Sequence, residues 1–236
     1  MSHLVAYLGP KIDLHSLLMT PEAGPYQQAL AARRGGPCAD GFGIGWRRKH
    51  RPWRYVRDCP IWRDFNLEAL SHNLRASHWL CSVQDSAESG DEVSLFNTQP
   101  FMDERFLFVH HGFVDNFLAT LKPACHEYLS PEVAAGLRGS SVSEYLFAMI
   151  RQRLRDPDNL DIGPALQDVL STLEISLRNL NASLNTVICD DAKIIAARQA
   201  CNQACAPLYF NVNDARFPNA MLVASRPLTE SPHWRL

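Results

Sequence analysis

The sequence holds no Cys-x-x-Cys pair, no apolar run of membrane-spanning length, no internal repeat, no Gly/Ser-rich linker and almost no net charge. Each absence excludes something. The seven cysteines (Cys38, Cys59, Cys81, Cys125, Cys189, Cys201, Cys205) are scattered and odd in number, and Cys201 and Cys205 have no second pair to complete a zinc site. They read as reduced thiols of a cytoplasmic protein. No basic segment followed by a long apolar stretch opens the chain. A net charge of −2, with both signs interspersed, offers nothing for nucleic acid or an anionic membrane surface to hold. Gly41, Gly43 and Gly45 precede no Lys-Ser or Lys-Thr, so they form no phosphate loop, and no cofactor is expected. Residues 1–236 read as one domain, and 46% hydrophobic residues suffice for a substantial core.

What is present reads as strands, then a helix pair, then strands. Leu4–Leu8 is a strand stopped by Gly9-Pro10. Residues 13–34 carry helical tendency broken at Pro21 and Pro25, and the alternate glycines of 39–46 let other groups approach the backbone closely. Strands are expected at 53–56 and 78–83 with a short helix at 66–75 between them, and a polar loop at 87–92. Ser141 and Glu144 form a capping box ahead of a helix whose apolar face is 142, 145, 146, 149, 150 and 154, stopped at 156–159. A second helix starts at Pro164 and runs towards Leu180. Strands follow at 184–189, 193–197, 207–212 and 220–224. This order, without βαβ alternation, predicts antiparallel sheets with segregated helices, an α+β class.

The stretch Asn97–Asn116 concentrates the chemistry. An Asn-Thr-Gln-Pro turn leads into the apolar segment Arg105–His110, which is expected to close in a turn at Gly112, where positive φ is cheap. A strand delivering polar side chains and a backbone N–H to a glycine turn suits an anion or oxyanion site. His110 and His111 are adjacent, so on a strand they face opposite ways and do not chelate one metal. His72, His78 and Cys81 have no ligand spacing, and no metal is expected.

In order along the chain, the pieces resemble class II (N-terminal nucleophile) glutamine amidotransferases, most of all the branch with the ergothioneine-pathway γ-glutamyl hydrolase. Ser2–Gly9 is similar to that family's N-terminal strand, and Ala39-Asp40-Gly41-Phe42-Gly43 to its Ala-Asp-Gly-Trp-Gly. Pro60-Ile61-Trp62-Arg63-Asp64 is similar to its Pro-x-Trp-x-Asp, and Asn97-Thr98-Gln99-Pro100-Phe101 to its Asn-x-His-Pro-Phe. His110-His111-Gly112 stands for its His-Asn-Gly, and Ser225-Arg226-Pro227-Leu228 for its Ser-Glu-Pro-Leu. The resemblance implies the four-layer αββα sandwich of N-terminal nucleophile hydrolases.

The departures fall on the working residues that the resemblance implies. The family's nucleophile is a cysteine exposed by removal of the initiator methionine; here the position is Ser2. A serine hydroxyl is hardly ionised at neutral pH and needs an adjacent base, which the α-amine, with a pKa of about 7.7–8.0, supplies once Met1 is gone. The family's arginine that grips the substrate carboxylate falls at Gln84, which lacks the charged fork. Its oxyanion asparagine falls at His111, leaving the Gly112 N–H as the retained donor. Its aspartate that holds the substrate ammonium falls at Val142.

These replacements predict a class II amidotransferase-like protein without standard glutaminase chemistry, a noncatalytic subunit or scaffold for a partner enzyme, or a homodimer. The alternative is a Ser2-dependent amidohydrolase acting on a modified or non-glutamine amide. Ser2, Gln84, His111 and Gly112 are expected around one cleft that is neutral and apolar, with Val142 at its far end and the Asp40–Gly43 backbone, with Asp40 and Gly41 as binding positions, for a wall. The Trp234-Arg235-Leu236 end predicts one short sheet with an edge open to a partner.

Overall fold

A computed structural model describes residues 2–33, 40–85, 92–155 and 161–236. Most of the polar loop at 87–92 and the helix stop at 156–159 lie outside these residues, as do Met1, Cys38 and Ala39.

Among the described residues ten strands form two antiparallel sheets. The first has six strands in the order β3-β2-β4-β1-β10-β9, with β1 His3–Asp13, β2 Gly41–Arg48, β3 Arg51–Arg57, β4 Arg75–Gln84, β9 Tyr209–Asp214 and β10 Phe217–Ala224. The second has four in the order β5-β6-β7-β8, with β5 Phe101–Met102, β6 Leu107–Val114, β7 Ala182–Cys189 and β8 Ile194–Cys201. The chain's first strand is thus interior, with Val5 opposite Cys81 on one side and Ala224 on the other. The strand does not stop at Gly9-Pro10. Its register shifts between Leu8 and Ile12 and it continues to Asp13, with the Tyr7 hydroxyl donating to the Pro10 carbonyl at 2.7 Å. A shift of this kind lets a strand absorb an unpairable proline without ending.

Alternation decides the layers. On β1, Val5 and Tyr7 pack with Leu14, Leu17 and Leu18 of a short helix on the outer face. Leu4 and Ala6 turn inward and meet Leu107, Val109 and Val187 of the other sheet. Beyond the second sheet lie helices Val142–Leu154 and Ile162–Ser176, the latter starting two residues before Pro164 because Asp161 caps it. Phe147 stacks on Phe108 with ring centroids 5.3 Å apart, and truncating either ring would cost roughly 3–5 kcal/mol. The result is the expected αββα arrangement. Short helices at 117–120, 122–128 and 131–134 also appear, which the sequence pattern did not announce. No helix among the described residues is long and apolar enough to cross a membrane.

The capping box is half formed. Ser141 Oγ accepts the Glu144 N–H at 3.2 Å, but the Glu144 carboxylate reaches past Ser141 to the N–H groups of Arg138 and Gly139, both at 2.8 Å. Asn97 Oδ1 takes the Ser140 N–H at 2.9 Å. The helix start and the 97–101 segment are thereby fixed together.

Candidate active site

The apolar layer between the sheets gives way to polar side chains at one level on all four central strands. Leu4 is followed towards that end by Ser2, just ahead of β1, Leu80 by Ser82 and Gln84 on β4, Val109 by His111 on β6, and Val187 by Asn185 and Ser183 on β7. A cleft of about 280 Å³ opens there, lined by Ser2, Gln84, His111, Gly112, Asn185 and Arg226 among others. Ser2, Gln84, His111 and Gly112, singled out from the sequence, are brought together.

Their geometry differs from expectation in several respects. Gly112 is no turn: β6 runs on to Val114, with Gly112 opposite Leu184. Its φ of 148° is one that L side chains rarely adopt, and a Cβ there would overlap the Ser183 carbonyl oxygen. Glycine is needed because β7 approaches so closely. Val142 does not line the cleft. As the first residue of its helix it points into the apolar layer with Leu146 and Tyr145, and Ser143 takes the cleft-facing place. Asp40 and Gly41 stand behind the wall instead of lining it, with the Asp40 N–H donating to the Gln84 carbonyl at 2.8 Å and Gly41 paired with Gln84.

Gln84 is occupied. Its Nε2 donates to the Asn97 carbonyl at 3.2 Å, and its Oε1 accepts the Gln99 N–H at 2.7 Å. The Gln99 side chain in turn clamps the His110 backbone, donating to its carbonyl at 2.8 Å and accepting its N–H at 2.6 Å. Ser2 Oγ accepts the Asp85 N–H at 3.1 Å.

The three histidines here are neutral at ordinary pH. Burial pushes His110 down to about 4 and His111 down to about 3, and burial with the nearby Arg226 cation pushes His3 down to about 4. His110 and His111 do face opposite ways. His110 Nε2 lies 3.3 Å from the Ser183 carbonyl and Nδ1 2.9 Å from Ser143 Oγ. A carbonyl only accepts, so Nε2 carries the proton and the Ser143 hydroxyl donates to Nδ1. His111 Nε2 lies 3.1 Å from Ser82 Oγ. If Ser82 donates, His111 Nδ1 is left as an N–H donor; if Ser82 accepts, it is not.

Among the described residues lining the cleft, Arg226 alone carries a fixed charge. Apart from that side chain the lining is neutral, and most of the surface it exposes is apolar. Arg226 follows Ser225, whose Oγ and N–H pair with the Leu4 N–H and carbonyl at 3.0 Å each. Sequence reasoning passed over Arg226, Ser143, Ser183 and Asn185. The polar residues of β7, embedded in an otherwise apolar strand, were the available signal.

No protein-family model matches the chain. A γ-glutamyl-hercynylcysteine sulfoxide hydrolase of Mycobacterium tuberculosis is 30% identical over 138 residues, which cover 57% of this chain and 59% of that relative's length. The protein of the same name from Mycolicibacterium smegmatis is 25% identical over 240 residues, covering 99% of this chain and 91% of its own. Among solved structures, a glutamine aminotransferase class-II domain protein from Silicibacter pomeroyi has a TM-score of 0.67 at 23% identity, covering 94% of this chain and 88% of that one. The glutamine phosphoribosylpyrophosphate amidotransferase of B. subtilis gives 0.63 at 16% identity, covering 94% of this chain and 41% of the other. The chain has the fold of the class II glutamine amidotransferases and N-terminal nucleophile hydrolases, and in sequence it is similar to the γ-glutamyl-hercynylcysteine sulfoxide hydrolases.

Proposed function

We propose that this chain is a Ser2-dependent amidohydrolase acting on an amide other than free glutamine. The observation that carries the reading is the Ser2 hydroxyl, presented in the cleft beside Gly112 and His111 and steadied by the Asp85 N–H. With Met1 removed, Ser2 carries a free α-amine. That amine takes the hydroxyl proton as Oγ forms a bond to the amide carbonyl carbon. The resulting oxyanion meets the Gly112 N–H, and His111 Nδ1–H where Ser82 donates to Nε2. The C–N bond then breaks, the nitrogen leaving with the proton held by the α-amine. Water attacks the Ser2 ester and releases the acid. The names of the mycobacterial relatives, both hydrolases of a γ-glutamyl compound, support hydrolysis as the reaction class.

A noncatalytic, ligand-binding role is the second reading, favoured by Gln84, whose amide is spent on the 97–99 segment. Mass spectrometry of the native protein followed by an amide-hydrolysis screen separates the two. Loss of Met1, with turnover that Ser2→Ala abolishes and Ser2→Cys retains, is the expected result. A retained Met1 on native protein, or hydrolysis indifferent to Ser2→Ala, overturns the enzymatic reading.

A further inference from the structure

At the end of the six-stranded sheet away from Ser2, charges that nearly cancel over the whole chain do not cancel locally. Six of the 23 Lys and Arg residues fall within 47–57, and no Asp or Glu does. The ends of three neighbouring strands, β2, β4 and β1, enclose a recess of about 670 Å³ lined by Lys11, Arg48, Lys49 and Arg75. Among the described residues its lining holds one carboxylate, Asp191, which is already spent. Asp191 Oδ1 accepts from Arg47 Nε at 2.7 Å, and Oδ2 lies 3.1 Å from His50 Nδ1. Asp13, opposite Arg75 in the β1–β4 ladder, caps the next helix through the Ser16 N–H and hydroxyl, at 2.8 and 2.6 Å. It offsets only part of the Arg75 charge. Among the described residues no ion pair joins Lys11, Arg48, Lys49 or Arg75 to a carboxylate. Other features of the recess oppose stability. Arg48 is directly opposite Arg51 across the β2–β3 hairpin, and like charges so placed repel. The turn between them holds Lys49 at φ 50° and His50 at φ 64°, a conformation that asparagine and glycine adopt more cheaply. His78 lines the same recess, and its Nε2, cut off from solvent, has no hydrogen-bond partner among the described residues. Repulsion, strain and an unsatisfied ring nitrogen gathered in one place are kept by a binding site and discarded by a plain hairpin.

We propose that this recess binds a small molecule bearing two or three linked phosphate groups. Four cations around a hollow attract an anion and repel a cation, which fixes the sign of the ligand. Spacing sets the number of phosphates. β2 and β1 lie on either side of β4, so Arg48 and Lys11 spring from strands about 10 Å apart. A lone phosphate must draw both long side chains inward, whereas a diphosphate or triphosphate spans the gap and offers each an oxygen. Arg75, between them on β4, supplies the planar fork that matches a phosphate edge, and Asn73 and Ser77 add neutral donors. The charges line a hollow instead of a convex face, which suits a compact ligand over a nucleic-acid strand or a lipid surface.

Calorimetry on the whole chain at fixed ionic strength, without divalent metal, tests the proposal with inorganic tripolyphosphate and orthophosphate as probes. Tripolyphosphate should bind roughly tenfold more tightly, two further exposed charge contacts being worth about two- to fivefold each. Lys11→Gln, Arg48→Gln and Arg75→Gln should each weaken tripolyphosphate by about two- to fivefold, and the triple variant by more than any of them. Arg178→Gln, just past the helix Ile162–Ser176, should leave binding as it is. The substituted side chains are exposed, so each variant should melt like the parent in the absence of ligand. Ser2→Ala should bind as the parent does, because Ser2 is at the other end of β1; the proposal therefore stands or falls apart from the hydrolase reading. Equal affinity for the two probes, no heat at millimolar tripolyphosphate, or a loss in Arg178→Gln as large as in Arg75→Gln overturns it. Tighter binding of a short single-stranded oligonucleotide or of phosphatidylglycerol vesicles than of tripolyphosphate also overturns it, and assigns the basic residues to a macromolecule.

Discussion

Gln84 Oε1 accepts the Gln99 backbone N–H at 2.7 Å. At the position where the resemblance implies a substrate-gripping arginine, this side chain is a fastener. It joins β4 to the 97–99 segment, and Gln99 passes the connection to His110 on β6. Gln84→Ala would leave the Gln99 N–H unpaired at a residue that is 3% exposed. The expected loss is about 1–3 kcal/mol of stability, read as a lower urea midpoint at unchanged slope. Gln84→Glu keeps the acceptor and should lose less. A midpoint unmoved in Gln84→Ala would show that the segment is held by other means.

Gly112→Ala should be among the most damaging single substitutions in the protein. A methyl group there meets the Ser183 carbonyl oxygen, which belongs to the β7 backbone and has no room to yield. Strain of about 1–3 kcal/mol for the φ of 148° adds to the overlap. Loss of soluble expression, or a denaturation midpoint lowered by several kcal/mol equivalent, is the expected result. A variant as stable as the parent would mean that β6 and β7 separate freely at this level.

Stability should fall on mild acidification, and His110 accounts for part of it. Burial holds its ring at about 4, below the ordinary 6.5. The unfolded chain thus binds a proton between those values that the folded chain refuses. The contribution is whole above 6.5, fades as pH drops, and is gone below 4. At about pH 5 this ring alone costs about 2 kcal/mol. His3, pushed to about 4 by burial, acts in the same direction. Thermal melts between about pH 7.5 and about pH 5 should show a steeper decline in the parent than in His110→Gln. Identical slopes would mean that protonating the ring costs the folded state nothing.

The fold was legible because strand-length apolar runs bounded by turn residues marked β1, β3, β4, β7 and β10, and the 3.6-residue spacing of 142–154 marked the helix over the second sheet. The cleft was legible as far as residues were compared in order along the chain, which gathered Ser2, Gln84, His111 and Gly112. What escaped depended on registers between strands distant in sequence. Asn185 is opposite His111, and Ser225 beside Leu4, through pairings that no local pattern encodes. Gly112 read as a turn because a glycine after an apolar run is a stop signal; the close β7 backbone that requires it lies 71 residues on in the chain, at Ser183. Val142 was assigned to the cleft by position, but the first helical residue after Ser141 points to the core and the second to the cleft.

That last distinction bears on whether a glutamine site can be rebuilt here by substitution. Val142 is 5% exposed in the apolar layer with Leu146 and Tyr145. Val142→Asp would therefore bury a carboxylate against hydrocarbon instead of presenting it to a ligand. The expected outcome is a loss of about 3–5 kcal/mol, with the new carboxyl driven towards its neutral form. Free glutamine should give no calorimetric signal at millimolar concentration in the parent. Two missing charged contacts of about 1.5–3 kcal/mol each remove roughly two to four decades of affinity. Gln84→Arg combined with Val142→Asp should not restore them, because one position faces the 97–99 segment and the other the core. Micromolar glutamine binding by the parent or by that double variant would show that position 142 reaches the cleft and that position 84 is not tied to the 97–99 segment.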